Sequence, residues 1–199
     1  MGDNFFDQFW AKSDGITTLE MHTNHVITAG KNLLQSLPLS FEEKKYLEDK
    51  LFRCAVLHDL GKIHSAFQNR LLGKGITSIR HEIISLWFCE NFLNLNEDEL
   101  FAIATHHKGI VTQADDKGTL EGVVLTTNMQ FHYETNRQLL TKDTLNAWIK
   151  LMGLSLEIRD DGIETQISKS CQKVLRYSHQ AKTIPDNSLR KELSLCVPY

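Results

Sequence analysis

The run Ala55-Val-Leu-His-Asp-Leu-Gly-Lys62 carries small and apolar residues, beginning at Cys54, straight into an imidazole and a carboxylate. Burying a charge at a helix end is costly unless something pairs with it, and a cation is the natural partner for this pair. An isolated His-Asp dipeptide reads more simply as a buried hydrogen-bonded pair without a metal. Here His58 and Asp59 are accompanied by His22 and His81 and by the adjacent pair His106-His107, each attached to an amphipathic helical pattern. Six nitrogen or oxygen ligands thus come from four segments, which reads as a metal site.

At 199 residues with 41% hydrophobic content the chain can bury one sizeable core. Three prolines, eleven glycines and few alternating β-branched runs leave little of the turn punctuation that strands need, so the expectation is an all-α fold. A net charge of −3 gives no basic surplus for holding nucleic acid by counterion release alone, so any such contact is local or metal-assisted. Cys54, Cys89, Cys171 and Cys196 show no C-x-x-C spacing and read as reduced thiols. Acids where a signal peptide carries bases, no membrane-length apolar run, and Phe at position 6 against N-myristoylation together point to a cytoplasmic chain with no membrane partner.

In order along the chain, Phe5, Phe6, Phe9 and Trp10 form an aromatic knot expected to pack in the core. Thr17 or Thr18 then caps a helix whose buried face is read as His22, Val26, Ala29 and Leu33, with His25 as a rim residue or second ligand. Ser40-Phe-Glu-Glu opens a second helix with the stripe Tyr46, Leu47, Leu51, Cys54 and Ala55, and Gly61 reads as its C-terminal signal. Lys62 is either solvated or an ammonium beside His58 and Asp59 that can neutralise a phosphate oxygen. A short helix over 65–72, a glycine-bearing loop, a helix starting at His81 and a helix over 97–107 follow. Adjacent histidines at that last helix end can splay to opposite sides. Asp115-Asp116 is a weak ligand candidate in a polar loop. The patterns predict helices over 139–154, 163–177 and 181–195, read as scaffold and partner surface. A metal-binding core of about 10–110 with a helical extension of about 120–199 is the expected organisation of a single 1–199 domain.

Trp10-Ala-Lys-Ser13, Leu19-x-x-His22-x-x-x-Val26, His58-Asp-Leu-Gly-Lys62, Phe67-Gln68, Arg80-His81-Glu82 with Ser85, and His106-His107-x-Gly109 together resemble the HD superfamily of metal-dependent phosphohydrolases. Within it, their order and spacing over residues 10 to 109 are similar to the HD nuclease of type I CRISPR interference, fused to or partnered with the CRISPR-associated helicase. The resemblance implies an HD-domain helical bundle with additional C-terminal helices, holding two divalent metal ions and cutting single-stranded DNA that the helicase unwinds beside an RNA-guided surveillance complex. By carry-over, Asp59 bridges the metals, His22 and His58 complete one site, His81, His106 and His107 complete the other, and Lys62 lies near the scissile phosphate. The family's further aspartate has no evident match, which leaves one site short of a ligand and fits a piece of a longer protein.

Two metals suit phosphodiester hydrolysis, and imidazole-rich ligation favours Mn, Fe, Co or Ni, with Mg still possible through carboxylate and water ligands. The competing function classes are an HD phosphohydrolase acting on dNTPs or cyclic nucleotides, which needs a closed base-reading pocket, and a non-catalytic module in which the histidines are structural.

Overall fold

A computed structural model describes residues 5–75, 80–107 and 134–159. These residues form α1 (Leu19–Ser36), α2 (Phe41–Leu57), α3 (Ser65–Leu71), α4 (His81–Phe92), α5 (Glu97–Thr105) and α6 (Lys142–Leu151), with 3-10 turns at Phe6–Gln8 and Leu60–Ile63. The described residues contain no strand, only isolated antiparallel bridges between Trp10 and Thr18 and between Leu93 and Ile158. The all-α bundle expected from sequence is what forms. The helices read over 163–177 and 181–195, and the candidate acids Asp115 and Asp116, lie outside the described residues.

Each helix begins where its local chemistry satisfies the first free amides. Thr18, rather than Thr17, caps α1 by accepting from Met21 N at 3.2 Å, because Thr17 is engaged by Asp14. Ser40 and Glu43 close a reciprocal capping box on α2. At α5, Glu99 accepts from Asn96 N at 2.8 Å.

The buried face of α1 differs from the expected one. Leu19, Thr23, Ile27, Gly30 and Leu34 are buried, His22 and Val26 are half-buried at its edge, and Ala29 and Leu33 face solvent. The cause is Gly30: a Cβ there would lie 2.7 Å from Leu51 Cδ2, so α2 approaches α1 over its smallest residue. Tyr46, read as part of the α2 stripe, is exposed and lies against Lys50, whose ammonium is 4.6 Å from its ring centre.

The core centres on α4, in which every residue from His81 to Phe92 is buried between the Leu60–Ile63 turn and α5. Its apolar run Ile83, Ile84, Leu86, Trp87, Phe88, Cys89 and Phe92 wraps most of the helix, which suits such a position. From later in the sequence α6 joins the same core: the Trp148 ring packs at a tilt against Phe6, centroids 4.9 Å apart, and donates its indole N–H to Val56 O at 2.7 Å. This anchors the end of α2 at Val56, two residues before His58. No helix among the described residues is long and apolar enough to cross a membrane.

Candidate metal centre

α2 ends at Leu57, and Asp59 leaves it with φ −105° and ψ 4°, so the chain tightens into the 3-10 turn and buries the Asp59 carboxylate at 1% exposure. The turn exists because α4 presses on it. A Cβ on Gly61 would sit 2.1 Å from His81 O and 2.8 Å from Ile84 Cβ, and Gly61 N donates to Ser85 Oγ at 2.8 Å. Gly61 is therefore a close-approach glycine, whereas the sequence reading took it for a helix-ending signal. The same contact delivers His81, first residue of α4, to the carboxylate.

The two oxygens of Asp59 face different partners. Oδ1 lies 3.0 Å from His81 Nε2 and 3.3 Å from His106 Nε2. Oδ2 lies 3.0 Å from His22 Nε2, 3.3 Å from His58 Nε2 and 2.6 Å from Lys62 Nζ. His107 Nε2 joins the first group at 3.0 Å from His81 Nε2. Two donor groups result, Asp59 with His81, His106 and His107, and His22 with His58 and Asp59. His106 and His107 converge on one side, their rings 4.2 Å apart, and do not splay. His25 is exposed on the outer side of α1 and belongs to neither group. The six residues singled out as metal ligands and Lys62 are thus brought together by the fold.

Tautomers follow from the outer hydrogen bonds. His58 Nδ1 lies 2.8 Å from Ala55 O and His106 Nδ1 2.7 Å from Ile103 O, and a carbonyl can only accept, so each Nδ1 carries the proton. In the neutral rings Nε2 then presents a lone pair to Asp59. His81 Nε2 also lies 3.3 Å from His106 Nε2, so lone pairs and carboxylate oxygens converge where few protons are available to bridge them. Neither Asp59 oxygen accepts a hydrogen bond of acceptable geometry despite these ion-pair contacts. Lys62 supplies a cation to Oδ2 only, so the Oδ1 side is electrostatically frustrated without a cation between its donors, and imidazoles held through Nδ1 by backbone carbonyls are oriented as metal ligands are. The cluster could hold metal ions.

Titration behaviour agrees. Burial raises the Asp59 carboxyl, but His58, His106 and His22 together hold it well below the ordinary value of 3.8. Burial is also the first cause that lowers His81, opposed by Asp59. On the rim, desolvation within the cluster and then the charges of His106 and His81 lower His107 to about 4. Both rings are unprotonated at neutral pH, as ligation requires.

Two polar residues outside the donor set escaped the sequence reading. His64 is buried, caps α3 by accepting from Ala66 N at 3.1 Å, and lies 2.9 Å from the amide nitrogen of Asn136, whose Oδ1 accepts from Ser65 N at 2.8 Å. No sequence signal pairs positions 72 residues apart.

The chain is 31% identical over 142 residues to a protein of Myxococcus xanthus (strain DK1622) provisionally named CRISPR-associated nuclease/helicase Cas3. The match covers 60% of this chain but 19% of that relative, so the chain spans about a fifth of the relative's length. No family profile and no solved structure matches. In sequence the chain is therefore similar to part of a CRISPR-associated nuclease/helicase.

Proposed function

We propose that the chain is an HD-type, metal-dependent phosphodiesterase that hydrolyses single-stranded DNA in CRISPR interference, acting with a CRISPR-associated helicase, fused or separate, and an RNA-guided surveillance complex. The observation that carries this reading is the division of Asp59: one buried carboxylate turns Oδ1 to His81 and His106 and Oδ2 to His22 and His58. Divalent ions would be held by the two donor groups that share Asp59, and the imidazole-rich set favours Mn, Fe, Co or Ni over Mg.

Ions bound there supply a water ionised near neutral pH and stabilise charge on the attacking and leaving oxygens. The chain's own residues do the rest. Asp59 fixes the spacing of the two donor groups. His58 and His106 are locked by Ala55 O and Ile103 O, so their Nε2 atoms are held in place before substrate arrives. The ammonium of Lys62, buried against the Phe67 ring at 5.7 Å, is the lysine that the described residues place at the cluster and pairs with a phosphate oxygen of the substrate.

The test offers Mn2+-reconstituted protein a circular single-stranded DNA, duplex DNA, RNA, and free dNTPs and cyclic nucleotides side by side. Cleavage of the single-stranded circle supports the reading, since a pure exonuclease cannot open it. Hydrolysis of nucleotides without DNA cutting would show a mononucleotide phosphohydrolase instead.

A further inference from the structure

His22 and Asp59 come from segments that have no local reason to lie in register, and one side chain outside the donor set joins them. The carboxamide of Gln68, in α3, makes three hydrogen bonds, all to backbone groups. Its Oε1 accepts from Trp10 N at 3.0 Å, and its Nε2 donates to Trp10 O at 3.0 Å and to Lys62 O at 2.7 Å.

Each bond leads to one half of the Oδ2 group. Trp10 bridges Thr18, flanked by Ala11 N to Thr17 O at 2.9 Å and Leu19 N to Phe9 O at 2.8 Å. Thr18 is the cap of α1, and its carbonyl accepts from His22 N at 3.0 Å, so the Trp10 strap sets where His22 starts. On the other side, Lys62 N donates to Asp59 O at 2.9 Å, so holding Lys62 O holds the turn that carries Asp59. A simple space-filling role for this half-buried residue would not require donor and acceptor on both backbone groups of Trp10 and on a third carbonyl.

We infer that Gln68 is a positioning residue that sets the reach of His22 to Asp59 Oδ2, and thereby the strength of the His22–His58–Asp59 metal site. This rests on the metal reading above. The carboxamide touches neither α4 nor α5, which carry His81, His106 and His107, so that group depends on Gln68 only through the shared Asp59.

The test is Mn2+ titration of the full chain, as wild type and as Gln68→Ala and Gln68→Glu, with His22→Ala and His107→Ala identifying the two classes of site. Gln68→Glu keeps an acceptor for Trp10 N but loses both donations, and it carries the experiment if Gln68→Ala does not fold by circular dichroism. The expected result is a loss of about 10–100-fold in the His22-dependent class, the usual cost of removing an outer-shell partner, with a smaller loss in the His107-dependent class, which shares only Asp59. In a His22→Ala background the Gln68 change should add nothing. Parallel weakening of both classes, no weakening, or multiplying losses in the double variant would overturn the positioning role. A wild-type chain that binds no Mn2+ would overturn the metal reading itself, whereas unchanged Gln68 variants of a metal-binding wild type would overturn this inference alone.

Discussion

Lys62 Nζ lies 2.6 Å from Asp59 Oδ2, the same oxygen that His22 and His58 face. The carboxylate thus already has a resident cation on the side of the smaller donor group, and an ion entering there shares its oxygen with an ammonium. Repulsion between cations so placed is on the order of 1–4 kcal/mol. Lys62→Met, which keeps an apolar stem against Phe67, is expected to bind Mn2+ at least about tenfold more tightly in the His22-dependent class. Cleavage should nonetheless fall by about 100-fold, because a group that stabilises transition-state charge is gone. Weaker Mn2+ binding in that variant would show that Lys62 holds the carboxylate in position instead.

Asp59→Ala removes the residue common to both donor groups and leaves the buried Lys62 ammonium without its counter-charge. Breaking a buried pair in this way costs about 3–5 kcal/mol of stability. The variant is expected to melt earlier, to lose cleavage, and to lose more bound metal in equilibrium dialysis than any single histidine variant. Adding Lys62→Met should restore much of the stability while restoring none of the metal. If Asp59→Ala alone kept full activity, the bridging role would be wrong.

What the sequence disclosed was local. The start of α4 at His81, α3 from Ser65 and the caps at Ser40 and Thr18 are set by residues within a turn of each boundary, and they appear where the pattern placed them. The candidate ligands were visible because imidazoles at the edges of apolar helices are costly without a partner. What the sequence concealed was contact between distant segments. The expected face of α1 left out Gly30, against which Leu51 packs, and Gly61 was read as a helix stop, whereas the His81 carbonyl lies against its α-carbon. His22 was chosen over His25 on a face that turned out one residue out of register, yet it remains the histidine that reaches Asp59. Gln68 and His64 act through backbone atoms and amides tens of residues away, which no periodicity can reveal.

Acid should destabilise the metal-free chain in two steps. The folded state holds His107 at about 4 and His81 below its ordinary value of 6.5, so between about 6.5 and 4 the unfolded chain binds more protons. Stability therefore falls as pH drops through that window. Asp59, held well below 3.8, contributes stability that is present above 3.8 and is lost on further acidification. Melting temperatures of the metal-free protein from pH 7 to pH 3 check the sign, and His107→Ala should flatten the upper step. A melting temperature that rises between pH 6.5 and 4 would mean the rings are protonated in the folded state.

Gly61→Ala tests whether the approach of α4 to the turn is what delivers His81 to Asp59. The added Cβ would meet His81 O at 2.1 Å and Ile84 Cβ at 2.8 Å, and both belong to a helix buried on every side, so neither can yield without moving α4. Overpacking of this kind costs about 3 kcal/mol. Because the first atom displaced is the carbonyl of His81 itself, its ring should leave the 3.0 Å contact with Asp59 Oδ1. The expected outcome is a lowered melting temperature together with weaker Mn2+ binding in the His107-dependent class. Ser85→Ala is the matched control, since it deletes the acceptor of Gly61 N and costs about 1–3 kcal/mol as an unsatisfied buried amide, but inserts nothing between the turn and α4. It should destabilise without selectively weakening that class. Equal metal loss in the two variants would assign the delivery of His81 to the Ser85 hydrogen bond, and wild-type melting of Gly61→Ala would mean that α4 has room the structure does not show.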